Sequence, residues 1–432
     1  MEKKIAEVPT KSSFAKRIAK PVEVSDRYWW KVVILSFFGW IFIYADRTVL
    51  NPTMPNIASA FHINNTSLGL INSVFFMAYA LAQVPLGIIA EKVGRKYMIA
   101  FGFFLFGAMT FLSGIVTAFG AFLIIRAIAG LGEGAYYGPQ YALSTEAIPP
   151  KRLTLGTAII NSGMAFGTSG GYLLSSILVL QNGGKWQQPF LIIAIPTILM
   201  GVLFTWILKE KIISPHHQKQ TANFDSQQVV KSKIDFKQIL TNRNLLLSFF
   251  ICFCSIYAFF VIITWLPQYL QVERGFTGSS VGFISSLVPW ASIPGALIVA
   301  KLNDYLGTYT KSLVSGLMIL SIISVLGIVV AHSRIGLLFF LVMYGLTGKL
   351  ALDPILVAFV AKNAKNSQLA TTLSMYNFVG MSGSVLAPYV TGYLADKTGT
   401  MTVGFYLAAI LLVLGGVAFL FTSKGKAVTR KL

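Results

Sequence analysis

The sequence predicts an all-α polytopic membrane protein of twelve transmembrane helices in two six-helix halves. Three observations carry that prediction. The 432 residues are 55% hydrophobic and only 12% charged, about half the charged fraction of an ordinary soluble chain. Apolar runs of about 20 residues, long enough to cross a bilayer as helices, recur throughout. A set of glycines, acids and a tyrosine also repeats at a constant offset of 213 residues, as a doubled bundle would require. A β-barrel would show short alternating segments instead.

The spans fall at about 29–50, 68–90, 97–117, 119–142, 153–180, 189–208, 245–270, 279–300, 312–331, 335–360, 368–392 and 402–422. Residues 1–28 read as a basic cytoplasmic tail with no signal-peptide pattern before the first span. Residues 29–208 make the first six-helix bundle, 209–243 a cytoplasmic linker rich in Lys, Gln and Ser, 244–422 the second bundle, and 423–432 a second cytoplasmic tail. The net charge of +20 might point to a polyanion, but its distribution does not. With the N-terminus inside, 28 of the 35 Lys and Arg residues are cytoplasmic, and only Lys185, Arg274, Arg334 and Lys397 lie outside. That is the positive-inside pattern, so the basic balance sets topology and implies no nucleic-acid partner. The expected location is a bacterial cell membrane, crossed many times by a monomer with both termini in the cytoplasm.

Between spans 2 and 3, Gly87, Glu91, Gly94, Arg95 and Lys96 form a tight basic turn whose acid can cap a neighbouring helix. This loop resembles the signature loop of the major facilitator superfamily, with Glu91 where Asp is usual. A degenerate copy runs from Ala300 through Asp304 to Gly307. The offset of 213 carries Glu91 onto Asp304, Gly167 and Gly170 onto Gly380 and Gly383, and Tyr44 onto Tyr257. Glycines in spans 5 and 11 let helices approach and slide. Pro267, Pro289, Pro294, Pro354 and Pro388 allow kinks. Cys252 and Cys254 sit two apart on one apolar helix, face different ways, and suggest neither disulfide nor metal site.

The chemistry lies in charges at membrane depth, each costing about 2.5–3.5 kcal/mol on lenient insertion scales. Asp46 and Arg47 are adjacent in span 1, so they point about 100° apart and must find partners on other helices. Span 4 supplies Arg126 and Glu133, nearly two turns apart on one face. Counting depth permits an Asp46–Arg126 pair, with Arg47 turned to a cavity and Glu133 beneath it. Under the offset, Asp46, Arg126 and Glu133 map to Phe259, Phe339 and Leu346, so the first half holds most of the ionisable groups. An arginine fork matches a carboxylate, which makes Arg47 the candidate substrate anchor. A buried carboxylate gains or loses a proton as its surroundings change, which makes Asp46 and Glu133 candidate proton carriers. Lys349 and Asp353, four apart in span 10, read either as a helix salt bridge or as a gate and second cation for substrate. Tyr44, Tyr79, Trp265, Gln268 and Asn377 are polar or amphipathic groups at cavity depth.

Nothing in this pattern predicts an enzyme. The four histidines lie in loops or at span ends without a nucleophile arrangement, and no phosphate-binding Gly-x4-Gly-Lys-Ser/Thr loop appears. No cofactor or metal is expected, and the energy source should be an ion gradient carried by protons.

The combination of Tyr44-Ala45-Asp46-Arg47, Phe76-x2-Tyr79-x3-Gln83-x-Pro85-x-Gly87, Arg126-x3-Gly130-x2-Glu133 and Trp265-Leu266-Pro267-x-Tyr269 resembles the anion:cation symporter family of the major facilitator superfamily. The likeness, which extends to Gly348-Lys349 and Asn377, is strongest to bacterial D-galactonate and related sugar-acid:proton symporters. It implies that Asp46 and Glu133 take protons, that Arg47 contacts the substrate carboxylate, and that Tyr79 and Asn377 line the site. The expected activity is import of a small organic anion, an aldonate, hexuronate or similar acid, with protons. Anion exchange, proton-driven export and flux-free sensing are the other readings. Exchange would want arginines at depth in both halves, and export of a cation would be opposed by Arg47 and Arg126.

Overall fold

The computed structural model describes residues 22–210, 212–213, 236–306, 309–365 and 368–423. The first half comprises α1 (Tyr28–Val49), α2 (Met54–Phe61), α3 (Asn65–Val93), α4 (Arg95–Ser113), α5 (Phe119–Gly134), α6 (Tyr137–Ala147), α7 (Leu153–Ser175) and α8 (Gln188–Ile207). After a short helix α9 (Phe236–Thr241), the second half comprises α10 (Arg243–Val272), α11 (Ser279–Leu306), α12 (Thr310–Val330), α13 (Arg334–Thr347), α14 (Lys349–Asn363), α15 (Leu369–Thr398) and α16 (Thr402–Leu420). Eleven helical stretches among the described residues are long and apolar enough to cross a membrane. The remaining long helix, α15, is as long as α10 but more polar. Twelve crossings in two halves result, as expected from the apolar runs.

Spans 4 and 10, expected to be continuous, are each broken. Span 4 divides between α5 and α6 at Ala135–Tyr136, and span 10 divides at Gly348, whose backbone turns extended with φ −73° and ψ −157°. Residue 348 less the offset of 213 is 135, so both breaks occupy one position of the repeat. They put Glu133 just before one break and Lys349 just after the other.

Glycine packing follows the repeat too. A Cβ on Gly167 would stand 2.3 Å from the Ile41 carbonyl oxygen of α1, and one on Gly383 would stand 2.8 Å from the Phe253 carbonyl oxygen of α10. These glycines therefore fasten helices within each half rather than between halves. The cysteines do face different ways, Cys252 toward Gly380 on α15 and Cys254 toward Gly415 on α16.

The basic loop at residues 91–96 marks one end of the bundle, here called the basic end; the other is the far end. At the basic end Gly94 adopts φ +118°, a conformation that favours glycine, and α4 starts at the next residue. The Glu210 carboxylate, at the start of the linker, accepts from the backbone N–H groups of Arg95 (2.7 Å) and Lys96 (2.9 Å), and so caps α4. The Arg95 guanidinium pairs with Glu146. Glu91 is exposed at the end of α3, nothing lies near a Cβ on Gly87, and the Asp304 side chain lies outside the described residues. Beside this cap, Val22–Glu23 and Ile212–Ile213 form a two-residue parallel strand pair.

The two halves meet most closely at the far end. A Cβ on Gly69 of α3 would lie 2.2 Å from the Pro388 carbonyl oxygen of α15, and one on Gly392 would lie 2.3 Å from the Asn65 carbonyl oxygen. The Asp396 carboxylate of α15 accepts four hydrogen bonds from the start of α3: Asn65 N and Nδ2 at 3.0 Å each, and Thr66 N at 2.7 Å and Oγ1 at 2.5 Å. Burial acts to raise the proton affinity of Asp396, but these bonds together outweigh it and hold the carboxyl below its ordinary range. The contact is present above the ordinary carboxylate range and is lost only as pH falls through the depressed value. Further crossings come from Gln268 to Asn65, Gln271 to the Pro52 carbonyl, and Asn51 to the Ile263 carbonyl, at 2.8–2.9 Å.

Two outcomes test this packing. Gly167→Ala should cost about 1–3 kcal/mol of stability through overpacking, whereas Gly170→Ala, with nothing within 4 Å, should be near neutral. Unfolding temperatures of the detergent-solubilised variants compare them directly. Asp396→Ala should lengthen the α3–α15 separation at the far end in spin-label distance measurements, and titration from pH 8 to 5 should leave the wild-type separation unchanged.

Candidate functional site

The site is built where α1, α3 and α5 pack together and face α10 and the α13–α14 break. Asp46 and Arg47 are both buried near the end of α1 and, being neighbours, diverge. Asp46 turns to α5 and α4: its Oδ2 accepts from Arg126 Nη1 at 2.9 Å and its Oδ1 from Thr110 Oγ1 at 2.7 Å. Arg47 turns the other way, and its Nε donates to Glu133 Oε2 at 2.6 Å. Both pairs are sealed, with side-chain exposure of 5% or less at all four residues. The depth count placed Asp46 with Arg126; it left Arg47 for the cavity, whereas the guanidinium is held by Glu133 while also lining that cavity.

Aromatic faces surround the two cations. The Arg47 guanidinium carbon lies 4.5 Å from the Tyr79 ring centre, 4.8 Å from Tyr44 and 5.6 Å from Phe76. That of Arg126 lies 4.7 Å from the Phe75 ring. Such faces stabilise a cation without neutralising it, and leave its remaining donors open. Arg47 Nη2 and Glu133 Oε1 are buried without a hydrogen-bond partner, as are Nε and Nη2 of Arg126. Full satisfaction is the norm for buried charge, so the spare donor of Arg47, a residue lining the cavity, is free to take one further acceptor.

That cavity is lined by Tyr44, Arg47, Asn51, Asn72, Phe76 and Thr168 from the first half and by Phe259, Phe260, Ile263 and Thr264 from the second. Lys349, at the start of α14, sits with Nζ 5.8 Å from the Phe259 ring centre and 2.5 Å from Asp353 Oδ2. Tyr137, which follows the break in span 4 and which the sequence reading missed, is 41% exposed. Residues toward the far end, such as Asn51, Asn72 and Thr264, are almost fully buried. The cavity is therefore closed at the far end. Asn377 approaches Gln83 of α3 at 3.5 Å, one turn from Tyr79.

Two expected cavity residues are placed elsewhere. The Trp265 indole is fully buried and donates to the Pro388 carbonyl at 3.1 Å, while Gln268 donates to Asn65 in the far-end closure. Depth along α10 fixed their level but not their direction. Arg274 is committed as well, giving its guanidinium to the carbonyls of Ile328, Val329 and Ala331 at the end of α12 and to the Tyr269 hydroxyl. Thr110, Asp396 and Glu210 carried no periodic or charge-depth signal that would single them out.

The buried Asp46–Arg126 pair has a direct test. Arg126→Gln alone should destabilise the protein by about 3–5 kcal/mol, because it strands a buried carboxylate. Asp46→Asn combined with Arg126→Gln should recover most of that loss in the unfolding temperature, whereas additive losses would show that the two side chains stabilise separately.

The comparisons agree with this architecture. The chain is 25% identical over 414 residues to the hexuronate transporter of Bacillus subtilis (strain 168), covering 90% of this chain and 93% of that one. It is 23% identical over 400 residues to the probable galactarate/D-glucarate transporter GudP of the same organism, covering 86% of each. A crystal structure of a bacterial homolog to the human lysosomal transporter Spinster, inward-facing and unoccupied, superposes with a TM-score of 0.79 at 16% identity, covering 93% of this chain and 98% of that one, and shares the fold. The family model described as Major Facilitator Superfamily matches residues 36–388 and 275–431. A doubled twelve-crossing bundle, a buried charge cluster at the junction of its halves and these matches together make the chain a membrane transporter, not an enzyme, that belongs to the Major Facilitator Superfamily.

Proposed function

We propose that the chain imports a small organic anion, a sugar acid such as an aldonate or hexuronate, together with protons, by alternating access across a bacterial cell membrane. In this reading the basic end is cytoplasmic, so the far end is the closed outer gate. One observation carries the proposal: Arg47 is bonded to Glu133 at 2.6 Å while keeping an unpartnered Nη2 beside the cavity. The relatives named for hexuronate and galactarate/D-glucarate transport support the substrate class.

The mechanism follows from charge balance. Empty, the carrier pairs Arg47 with ionised Glu133. Loaded, it pairs Arg47 with the substrate carboxylate, and Glu133 is neutral only if it has taken a proton. Substrate without the proton leaves an extra anion in the cluster, and the proton without substrate strands the guanidinium. Both half-loaded states carry an unpaired buried charge, which is costly, so reorientation favours the empty and the fully loaded carrier. Asp46, held by Arg126 and Thr110, adjoins this exchange as the second proton candidate. Tyr44 and Tyr79 hold the guanidinium in place while its partner changes. Exchange of anions through paired arginines has less support, since Arg274 is spent on α12 carbonyls.

Proteoliposomes carrying a trapped pH dye test the proposal: adding a transported sugar acid outside, with no imposed gradient, should acidify the interior. Glu133→Gln should keep substrate exchange and lose proton-driven accumulation; equal loss of both activities would remove the proton role. Arg47→Ala should weaken uptake about 10- to 100-fold, the value of one charge-assisted contact.

A further inference from the structure

The cavity wall at Arg47 and the Lys349–Asp353 pair beside the cavity are electrically unlike, and that difference bears on the substrate beyond "sugar acid". At the wall stands Arg47, whose compensating carboxylate, Glu133, is removed by a proton in the proposed cycle. Past Phe259 stands Lys349, whose compensating carboxylate is different in kind. Asp353 is four residues along the same helix, 2.5 Å from Lys349 Nζ, and has a side chain 30% exposed. Lys349 adjoins the cavity through Phe259, a lining residue whose ring centre lies 5.8 Å from Nζ, so a substrate tail running past Phe259 would meet the Lys349–Asp353 pair.

The charges facing a loaded substrate are then Arg47 (+1), Lys349 (+1) and Asp353 (−1). Their sum is +1, which matches one carboxylate. A second carboxylate at the Lys349 end would meet an ammonium already neutralised and a carboxylate that repels it. A hydroxyl fits the same place, because it can accept from the ammonium and donate to the carboxylate at once.

We propose that Asp353 is a specificity-determining residue, which makes the carrier select acids with one carboxylate and a hydroxyl-bearing tail over acids with carboxylates at both ends. This deepens the proposed sugar-acid reading and rests on it. It also separates two classes for which similar proteins are named, hexuronate and galactarate/D-glucarate. Selection comes from the repelling charge, so neutralising it should admit the diacid.

The test is counterflow in proteoliposomes at equal pH on both sides, so that coupling to a gradient plays no part. Labelled D-glucuronate is preloaded against, and unlabelled D-glucuronate or D-glucarate competes. Wild type should prefer D-glucuronate at least 10-fold. Asp353→Asn should bring the ratio close to one through a gain for D-glucarate, while Asp353→Glu, which keeps the charge, should retain the preference. Equal competition by both acids in wild type, or an equal loss of both in Asp353→Asn, would overturn the role of Asp353 and leave the sugar-acid reading intact. No counterflow of D-glucuronate or D-glucarate, in a protein that does exchange another anion, would overturn both.

Discussion

A guanidinium inside a membrane must always have an anionic or aromatic neighbour, and the rest of this site depends on that requirement at Arg47. The residue has been given two kinds of company. Tyr44, Tyr79 and Phe76 surround it with ring faces, which tolerate a cation in any pairing state. Glu133 supplies the one formal countercharge. In the neighbouring pair both Asp46 carboxylate oxygens are filled, one by Arg126 and the other by Thr110. The cluster thus holds two buried pairs between the same two helices, and in the proposed cycle it is Arg47 and Glu133 that part.

The two halves repeat in backbone and differ in charge. Both break their fourth helix at the same repeat position, and both use glycine to bring the first and fifth helices together. Yet Glu133 precedes one break and Lys349 follows the other, while the positions equivalent to Asp46, Arg126 and Glu133 are Phe259, Phe339 and Leu346. A broken helix in a membrane needs its freed backbone groups buried in protein or facing a cavity. Both breaks lie beside the junction of the halves, where these charges are also found. Symmetric scaffold and asymmetric chemistry are therefore compatible: the breaks make room, and each half fills the room differently.

Much of the fold could be read because the membrane imposes length and apolarity on every span, and because the repeat offset is visible at Glu91, Gly167 and Tyr44. The Asp46–Arg126 pair could be read because depth is a one-dimensional count. The Arg47–Glu133 bond was not, since a flexible arginine reaches well beyond its own level. Trp265 and Gln268 went astray for a related reason: depth along a helix does not fix the direction a side chain takes about its axis. The breaks at Ala135 and Gly348 were hidden inside unbroken apolar runs. Asp396 and Glu210 lie at helix ends, where position relative to a distant N-terminus decides their role, and neither has an apolar or periodic setting to announce it.

The far-end closure includes a set of carboxylate, amide and hydroxyl groups against backbone, with glycines bringing the helices into contact. Apolar surface sealed there would have to be wetted at each opening, at about 25 cal/mol for every Å². Polar groups exchange their partners for water at little net cost. The material of the seal thus bears on turnover: a door of hydrogen bonds is watertight when shut and nearly isoenergetic when ajar, so the speed of the cycle need not be sacrificed to the tightness of the barrier.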